Sequence, residues 1–389
     1  MRSDPLPLLW LCGPSGVGKS SAGWELFARL SRSGIKAAFL DADQISLCHP
    51  LPESGTHRLR ARSLAAIWPH FREEGAQCMV LSGFVDTAEE VGEYTDLLPD
   101  AALTVCRLRV DTAELKERFI ARGWRPDLVA EAVAEAELLD LSDFADICLD
   151  TDGLTVSEVA RMVRERAGGW PRTGPAATPG GSASRPAAPP ACGPVPVLWF
   201  SGAGAVGKST VGYEVFTQII QSGIRAAYVD LKQIGALWPA ADDDPDGHRL
   251  KARNLAALWA GYGAAGARCL IVSGHADRDD TVRGYADLLA GTALTVCRLH
   301  AGPATLAERV ARRGQGGGPA IPGDELKGLD SGALHRAAER AAGEAAALDR
   351  VKAGDLCVDT DGRSVREVAG QVRALLGDWP NRTIPFPTA

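Results

Sequence analysis

The feature that most constrains this chain is that much of its sequence is written twice. "LPLLWLCGPSGVGKSSAGWEL" begins at residue 6, and "VPVLWFSGAGAVGKSTVGYEV" follows at residue 195, with Lys19 and Lys208 standing 189 positions apart. "HRLRARSLAAIW" (57–68) returns as "HRLKARNLAALW" (248–259), and "CMVLSGFVD" (78–86) as "CLIVSGHAD" (269–277). "ALTVCRL" recurs unchanged, and "DICLDTDG" (146–153) becomes "DLCVDTDG" (355–362). The offset grows from 189 to 191 and then to 209, so the extra residues of the second copy fall mainly between Gly314 and Asp355. A repeat this long is a duplicated domain, because solenoid units run only about 20–50 residues. The expected boundaries are 1–171 for the first domain, 172–193 for a linker rich in Pro, Gly, Ala and Ser, 194–381 for the second domain and 382–389 for a tail.

Within each copy, apolar runs alternate with helical periods. "PLLWLCG", "KAAFLDAD", "QCMVLSGF", "LTVCRLRV" and "DICLDT" are apolar nearly throughout, as strands buried on both faces of a parallel sheet are. "KSSAGWELFARLSRSG", "HRLRARSLAAIWPHFREEG" and "DTAELKERFIARG" separate them with helical spacing and a glycine stop. The fold class expected from this alternation is α/β, each copy a doubly wound parallel sheet with flanking helices and ligands at the strands' carboxyl ends.

Composition narrows the function classes. Hydrophobic residues at 46% and charged residues at 23% are proportions of a globular protein. A net charge of −7 argues against a general nucleic-acid or anionic-membrane binder. No apolar run approaches the ~20 residues of a membrane span, and the N-terminal run flows into a phosphate loop instead of a cleavage site. The nine cysteines show no CxxC pair; Cys78, Cys106, Cys148 and their counterparts Cys269, Cys297, Cys357 lie in strand-like runs and read as reduced core thiols of a cytoplasmic protein.

Two stretches fit GxxxxGK[ST] in the required context of a strand before and a helix after. In the first, Gly13, Ser15, Gly16, Val17, Gly18, Lys19, Ser20 and Ser21 are expected to hold a nucleotide's phosphates. In the second, the same part falls to Gly202, Gly204, Ala205, Val206, Gly207, Lys208, Ser209 and Thr210. The glycines let main-chain N–H groups point inward, the lysine adds positive charge and the serine hydroxyl suits Mg²⁺. After the second strand comes "FLDADQI", whose Asp41 and Asp43, at i and i+2 of an extended segment, project to one side, where they could hold metal-bound water and accept a hydroxyl proton. Copy two keeps Asp230 but has Lys232 for the second carboxylate, so its chemistry is impaired or altered. Metal ligation is expected of Ser20, Asp41, Ser209 and Asp230. Asp86 and Asp277 follow the third strand, which lacks an acidic end of its own. On the helix before that strand Arg58 and Arg62 share a face at i and i+4, with Arg60 turned away, and His57 and His248 read as cap or surface residues.

Strand, GxxxxGK[ST], then "LDAD" resembles the P-loop small-molecule kinases such as adenylylsulfate, gluconate and shikimate kinases, chloramphenicol phosphotransferase and polynucleotide 5'-kinases. The resemblance spans each copy and implies two tandem P-loop NTPase domains of the kinase type, each with a parallel five-stranded sheet, with ATP and Mg²⁺ as cofactors and a small hydroxylated acceptor. It implies Lys19 and Ser20 at phosphate and metal, Asp41 or Asp43 near the acceptor hydroxyl, and Arg62 (or Arg253) gripping an acidic acceptor. It implies lid arginines Arg118 and Arg122, with Arg309, Arg312 and Arg313 in copy two, over the transferring phosphoryl group. "DTDG" would border the adenine. The expectation is therefore an ATP- and Mg²⁺-dependent phosphotransferase with an alcohol acceptor, copy one catalytic, with no nucleic acid or membrane partner. The alternative is an ATP-binding regulatory protein or slow NTPase without a small-molecule acceptor. The acceptor, and whether the copies pack together, stay open.

Overall fold

The computed structural model describes residues 4–121, 126–171, 194–275, 279–289, 291–318 and 322–381. In chain order the first elements are β1 (Leu6–Cys12), α1 (Lys19–Arg32), β2 (Ala37–Asp41), β3 (Cys48–His49), α2 (Gly55–Glu73), β4 (Cys78–Ser82), α3 (Ala88–Thr95), β5 (Ala101–Arg109), α4 (Thr112–Ala121), α5 (Val129–Asp140), β6 (Ile147–Asp150) and α6 (Val156–Arg166). They continue with β7 (Val195–Ser201), α7 (Lys208–Gln221), β8 (Ala226–Asp230), β9 (Ala236–Trp238), α8 (His248–Ala264), β10 (Cys269–Ser273), α9 (Asp279–Leu288), β11 (Thr292–His300), α10 (Pro303–Gly314), α11 (Ser331–Arg350), β12 (Leu356–Asp359) and α12 (Val365–Leu376).

The sheets have the orders β6-β5-β1-β4-β2-β9 and β12-β11-β7-β10-β8-β3. Five neighbouring strands in each are parallel, and the sixth, β9 or β3, runs antiparallel at the edge. The expected five-stranded sheets are thus corrected to six. An uncovered β2 or β8 edge would present unpaired N–H and C=O groups, and a short strand satisfies them. The expected contiguous domain boundaries need correction as well. The described residues form two compact units, and Gly235–Leu250 belongs with the first while Leu47–Glu53 belongs with the second. Residues 172–193 and 382–389 lie outside the described residues.

Apolar burial explains the central strands. All five residues of β2 and all five of β4 are buried, which is why their sequences do not alternate. α1 lays Ala22, Leu26, Phe27 and Leu30 on the sheet, joining a core with Leu9, Leu11, Val80, Leu149 and Val163. The second unit repeats this with Val215, Phe216 and Ile219 of α7 against Leu198, Phe200, Ile271 and Val358. Each such fully buried Val, Leu, Ile or Phe side chain contributes on the order of 1.5–3 kcal/mol. Helix starts are chemically marked: Thr155–Glu158 and Ser364–Glu367 form capping boxes on α6 and α12, and Thr87 and Asp330 cap α3 and α11.

Register sets up the site. Leu11 of β1 and Asp41 of β2 both pair with Ser82 of β4, so the three strands end in one row beside the turn that starts at Gly13. In the second unit Phe200 and Asp230 flank Ser273 in the same way. Among the described residues the cysteines are free, and Cys148 and Cys357 are exposed, not core thiols as expected: they sit on the outward face of the edge strands β6 and β12. No described helix is long and apolar enough to cross a membrane.

Candidate functional site

Gly13 leaves β1 with φ of 135°, and a Cβ there would lie 2.5 Å from the Leu108 carbonyl oxygen. Gly202 repeats both values against Leu299. Only glycine fits where the loop must pass that close to the neighbouring strand. Gly18 and Gly207, at φ of 104° and 107°, then turn the chain into α1 and α7. The ammonium of Lys19 donates to the carbonyls of Gly13 (2.8 Å) and Pro14 (3.0 Å), and that of Lys208 to Gly202 and Ala203 (both 2.8 Å). Burial pulls both lysines below their usual range, Lys208 to about 8. Each ammonium is hydrogen-bonded by carbonyls of its own loop and feels nearby carboxylates, Asp43, Asp41 and Glu135 at Lys19 and Glu344 and Asp230 at Lys208. Main-chain N–H groups, a lysine and a Cβ-free passage together fit a polyphosphate.

Beside the loop, Ser20 donates to Asp41 at 2.6 Å, and Ser82 donates to Asp41 at 3.1 Å and approaches the Ser20 hydroxyl at 3.2 Å. Burial first, then Asp43, raises the Asp41 carboxyl above its ordinary value. In the second unit burial likewise raises Asp230, with Ser209 close beside it, but Ser273 turns to the Lys208 carbonyl at 3.0 Å. Among the described residues no group of three or more His, Cys, Asp or Glu is placed to hold a metal. A divalent ion held at Ser20 and Asp41 would draw its remaining ligands from phosphate and water.

Several expectations shift. Asp43 does not extend the strand alongside Asp41. The chain turns into a 3₁₀ segment at Ala42–Ile45, which Asp41 caps by accepting the Asp43 N–H at 3.0 Å. The Asp43 side chain, 60% exposed, forms an ion pair with Arg60. Arg60 also donates to Ser46 at 3.3 Å. Arg62, expected near the acceptor, is exposed. The buried positions of α2 include Leu59, Ser63, Leu64, Ile67 and Phe71; on a helical wheel Arg60 lies on that side and Arg62 opposite. His57 is no surface residue: its Nε2 lies 3.3 Å from Glu90, and burial lowers its pKa. Burial and a hydrogen bond with Asp86 push Glu90 up to about 7. The buried Glu93 Oε2, Tyr94 hydroxyl and His57 Nδ1 have no protein partner.

Arg118 ties the loop to the segment after β6. Its guanidinium donates to the Val17 carbonyl (3.2 Å), the Thr151 hydroxyl (3.2 Å) and the Thr151 carbonyl (2.7 Å), besides Glu114. Arg309 repeats this toward Val206 (2.8 Å) and Thr360 (2.9 Å). A cleft of about 380 Å³ opens beside it, lined by Gly16–Ala22, Arg118, Ala121, Leu154, Val156 and Val159. Ser21 lines this cleft, and Thr210 takes the matching helix position in the second unit, exposed. Ala205 stands at φ of 59° where Gly16 has 93°. Arg312 is outside the Arg309 contacts, and Arg313 pairs with Asp324 at 2.8 Å. Arg122 and Asp277 lie outside the described residues. Ser82, Arg60 and Glu90 were missed, as were Glu135 and Glu344, whose carboxylates accept the N–H groups of Ser15 (3.0 Å) and Gly204 (2.8 Å).

The five parallel strands, ordered with the loop-bearing strand in the middle, and a phosphate loop at its end now decide the fold. The fold is P-loop kinase-like. No protein-family profile and no curated protein matches the chain. Solved structures similar to it include the Deinococcus radiodurans tunicamycin resistance protein, 18% identical, covering 42% of this chain and 96% of that one, TM-score 0.33. The Acinetobacter baumannii shikimate kinase in complex with shikimate is 18% identical over 43% of this chain and 96% of that one, TM-score 0.31. The Mycobacterium tuberculosis APS kinase in complex with AMPPNP and APS is 18% identical over 43% and 99%, TM-score 0.30.

Proposed function

We propose that the chain is a tandem P-loop protein whose first half transfers the γ-phosphoryl group of ATP, with Mg²⁺, to a hydroxyl of a small molecule, and whose second half binds nucleotide with altered chemistry. The observation that carries this reading is the row Ser20–Asp41–Ser82 beside the loop, with the Asp43–Arg60 pair next to it. Phosphoryl transfer asks a protein mainly to position groups and to stabilise charge. The loop amides and Lys19 grip the phosphates, and Arg118 fixes the loop from the side. Ser20, with Asp41 behind it, would hold a magnesium ion, which would supply neutralisation of phosphate charge. Asp41 already accepts three hydrogen bonds, from Ser20, Ser82 and the Asp43 N–H, so it serves as anchor. Asp43, exposed beside Arg60, is the better base for an acceptor hydroxyl. Around the neighbouring Tyr94 the charges are Asp43, Glu90 and Glu93 against Arg60, which is already paired, and Lys19 is engaged by its loop. Such surroundings suit a neutral or amine-bearing hydroxylated acceptor better than an acid.

The second half is read as a nucleotide binder because Lys232 replaces the base and pairs with Glu325 at 2.8 Å. Replacing Lys19 and Lys208 separately with Ala, and measuring ADP release over hydroxylated metabolites with and without amino groups, tests the assignment. Lys19→Ala is expected to abolish acceptor-dependent release and Lys208→Ala to leave most of it; equal losses would contradict the assigned asymmetry.

A further inference from the structure

One contact recurs in both units and has no part in the phosphoryl-transfer reading. The side chain of Glu135 in α5 reaches the phosphate loop and accepts the main-chain N–H of Ser15 at 3.0 Å. The side chain of Glu344 in α11 does the same to Gly204 at 2.8 Å. Ser15 and Gly204 are the third residues of their loops, and the two glutamates are 209 positions apart, the offset of the final strands. The recurrence survives an insertion that changes the length between loop and helix, and it survives the loss of Asp43 and Arg60 to Lys232 and Lys251. Each carboxylate also acts on the loop lysine: Glu135 is among the charges that hold the Lys19 ammonium, and Glu344 is the foremost at Lys208.

We infer that Glu135 and Glu344 are built-in anions that occupy the phosphate loops and must be displaced when a nucleotide's phosphates enter. This rests on the loops being nucleotide sites. An N–H bound to a carboxylate is a charge-assisted bond. The same N–H cannot serve a phosphate oxygen without bringing two anions within a few ångströms of each other, where they repel strongly in a half-buried site. Phosphate binding therefore releases the glutamate, and with it the hold of α5 or α11 on the loop. α5 buries Ala132 and Leu139, and its last residue, Asp140, pairs with Arg107 and Arg109 of β5, so in the first unit the turns around Glu135 are the part that should loosen. In the second unit α11 also buries Ala337, Ala341, Ala345 and Leu348, and it should loosen less. Each latch thus couples loop occupancy to the freedom of the helix behind it.

The test uses the full chain carrying Lys208→Ala, so that the first loop is read alone, and compares it with the same chain carrying Glu135→Gln or Glu137→Gln. Glu137 lies exposed on the same helix and serves as control. Calorimetric titration with ADP and magnesium should give a Kd lower by about tenfold, or 1.4 kcal/mol, for Glu135→Gln. Glu137→Gln should match the parent. Unchanged or weaker ADP binding by Glu135→Gln overturns the inference, since the glutamate would then belong to the bound state or to nothing. Hydrogen exchange of α5 in the nucleotide-free chain gives a second readout. It should be faster in Glu135→Gln than in the parent, and equal exchange also overturns the latch. Should no chain bind ADP while Glu135→Gln still loosens α5, the nucleotide reading fails and the helix-to-loop contact stands.

Discussion

Replacing Gly13 and Gly18 by alanine separates two physical costs within one loop. Both glycines have positive φ, 135° and 104°, but an added Cβ meets nothing within 4 Å at Gly18, whereas at Gly13 it lies 2.5 Å from the Leu108 carbonyl oxygen and 3.2 Å from Val17. Gly18→Ala should cost only the left-handed backbone strain, about 1–2 kcal/mol. Gly13→Ala adds a contact that real Cβ atoms do not make, against a backbone atom of β5 that is held in register with Leu149 of β6, for a further ~1–3 kcal/mol. The first unit is of the size for which 1 kcal/mol shifts Tm by about 2–4 °C. Thermal unfolding should therefore show Gly18→Ala down by roughly 3–6 °C and Gly13→Ala by about twice that or more. If the loop instead moves away from Leu108, the same free energy appears as weaker ADP binding, so calorimetry accompanies the melts. Stability and ADP affinity that are both alike in the two variants would refute the reasoning, because the close passage under Leu108 would then impose nothing on the loop.

Arg60→Ala should cut acceptor-dependent ADP release by more than tenfold with ADP affinity nearly unchanged, while Arg62→Ala should leave both; steady-state kinetics with calorimetry checks this, and equal effects would restore the i, i+4 reading of the helix. In a Lys19→Ala chain, which reads the second loop alone, ADP affinity should fall as pH rises through about 8. The sign follows from burial: Lys208 is pushed down to about 8, so it carries its charge below that pH and loses it above, up to tenfold in affinity per unit. A Kd equal at pH 7 and 9.5 would show that the ammonium takes no part. Arg118→Ala frees the Val17 carbonyl and Thr151 and should weaken ADP binding to the first loop by about 1–3 kcal/mol, as read by calorimetry.

Much of the architecture was legible because duplication doubles every signal. A glycine loop between an apolar run and a helix, found twice at matching offsets, fixes the place of β1, α1, β7 and α7, and the fully apolar runs mark strands buried on both faces. The edge strands β3 and β9 were not legible, since two or three residues carry no periodicity and the demand they meet belongs to a distant strand edge. Arg60 was misread because the i, i+4 spacing of Arg58 and Arg62 says which arginines share a face, not which face turns inward. The apolar positions Leu59, Leu64, Ile67 and Phe71 would have answered that. Ser82 looked like a missing acid; its hydroxyl joins Asp41, which brings the carboxylate from the adjacent strand. Asp43 was placed on an extended segment although an aspartate there also suits the cap of a following helix, and that is the part Asp41 plays for the 3₁₀ turn. Glu135 and Glu344 lie in Ala- and Glu-rich helices whose composition states helix formation but not direction; their shared offset was the available clue.

The most direct measurement is an equilibrium titration of the chain with ATP and magnesium that counts sites, repeated for Lys19→Ala, Lys208→Ala and the double variant. Two sites, one lost with each lysine and both with the pair, are predicted. Binding that is absent from the start, or that persists undiminished in the double variant, would contradict the reading of both loops as phosphate cradles.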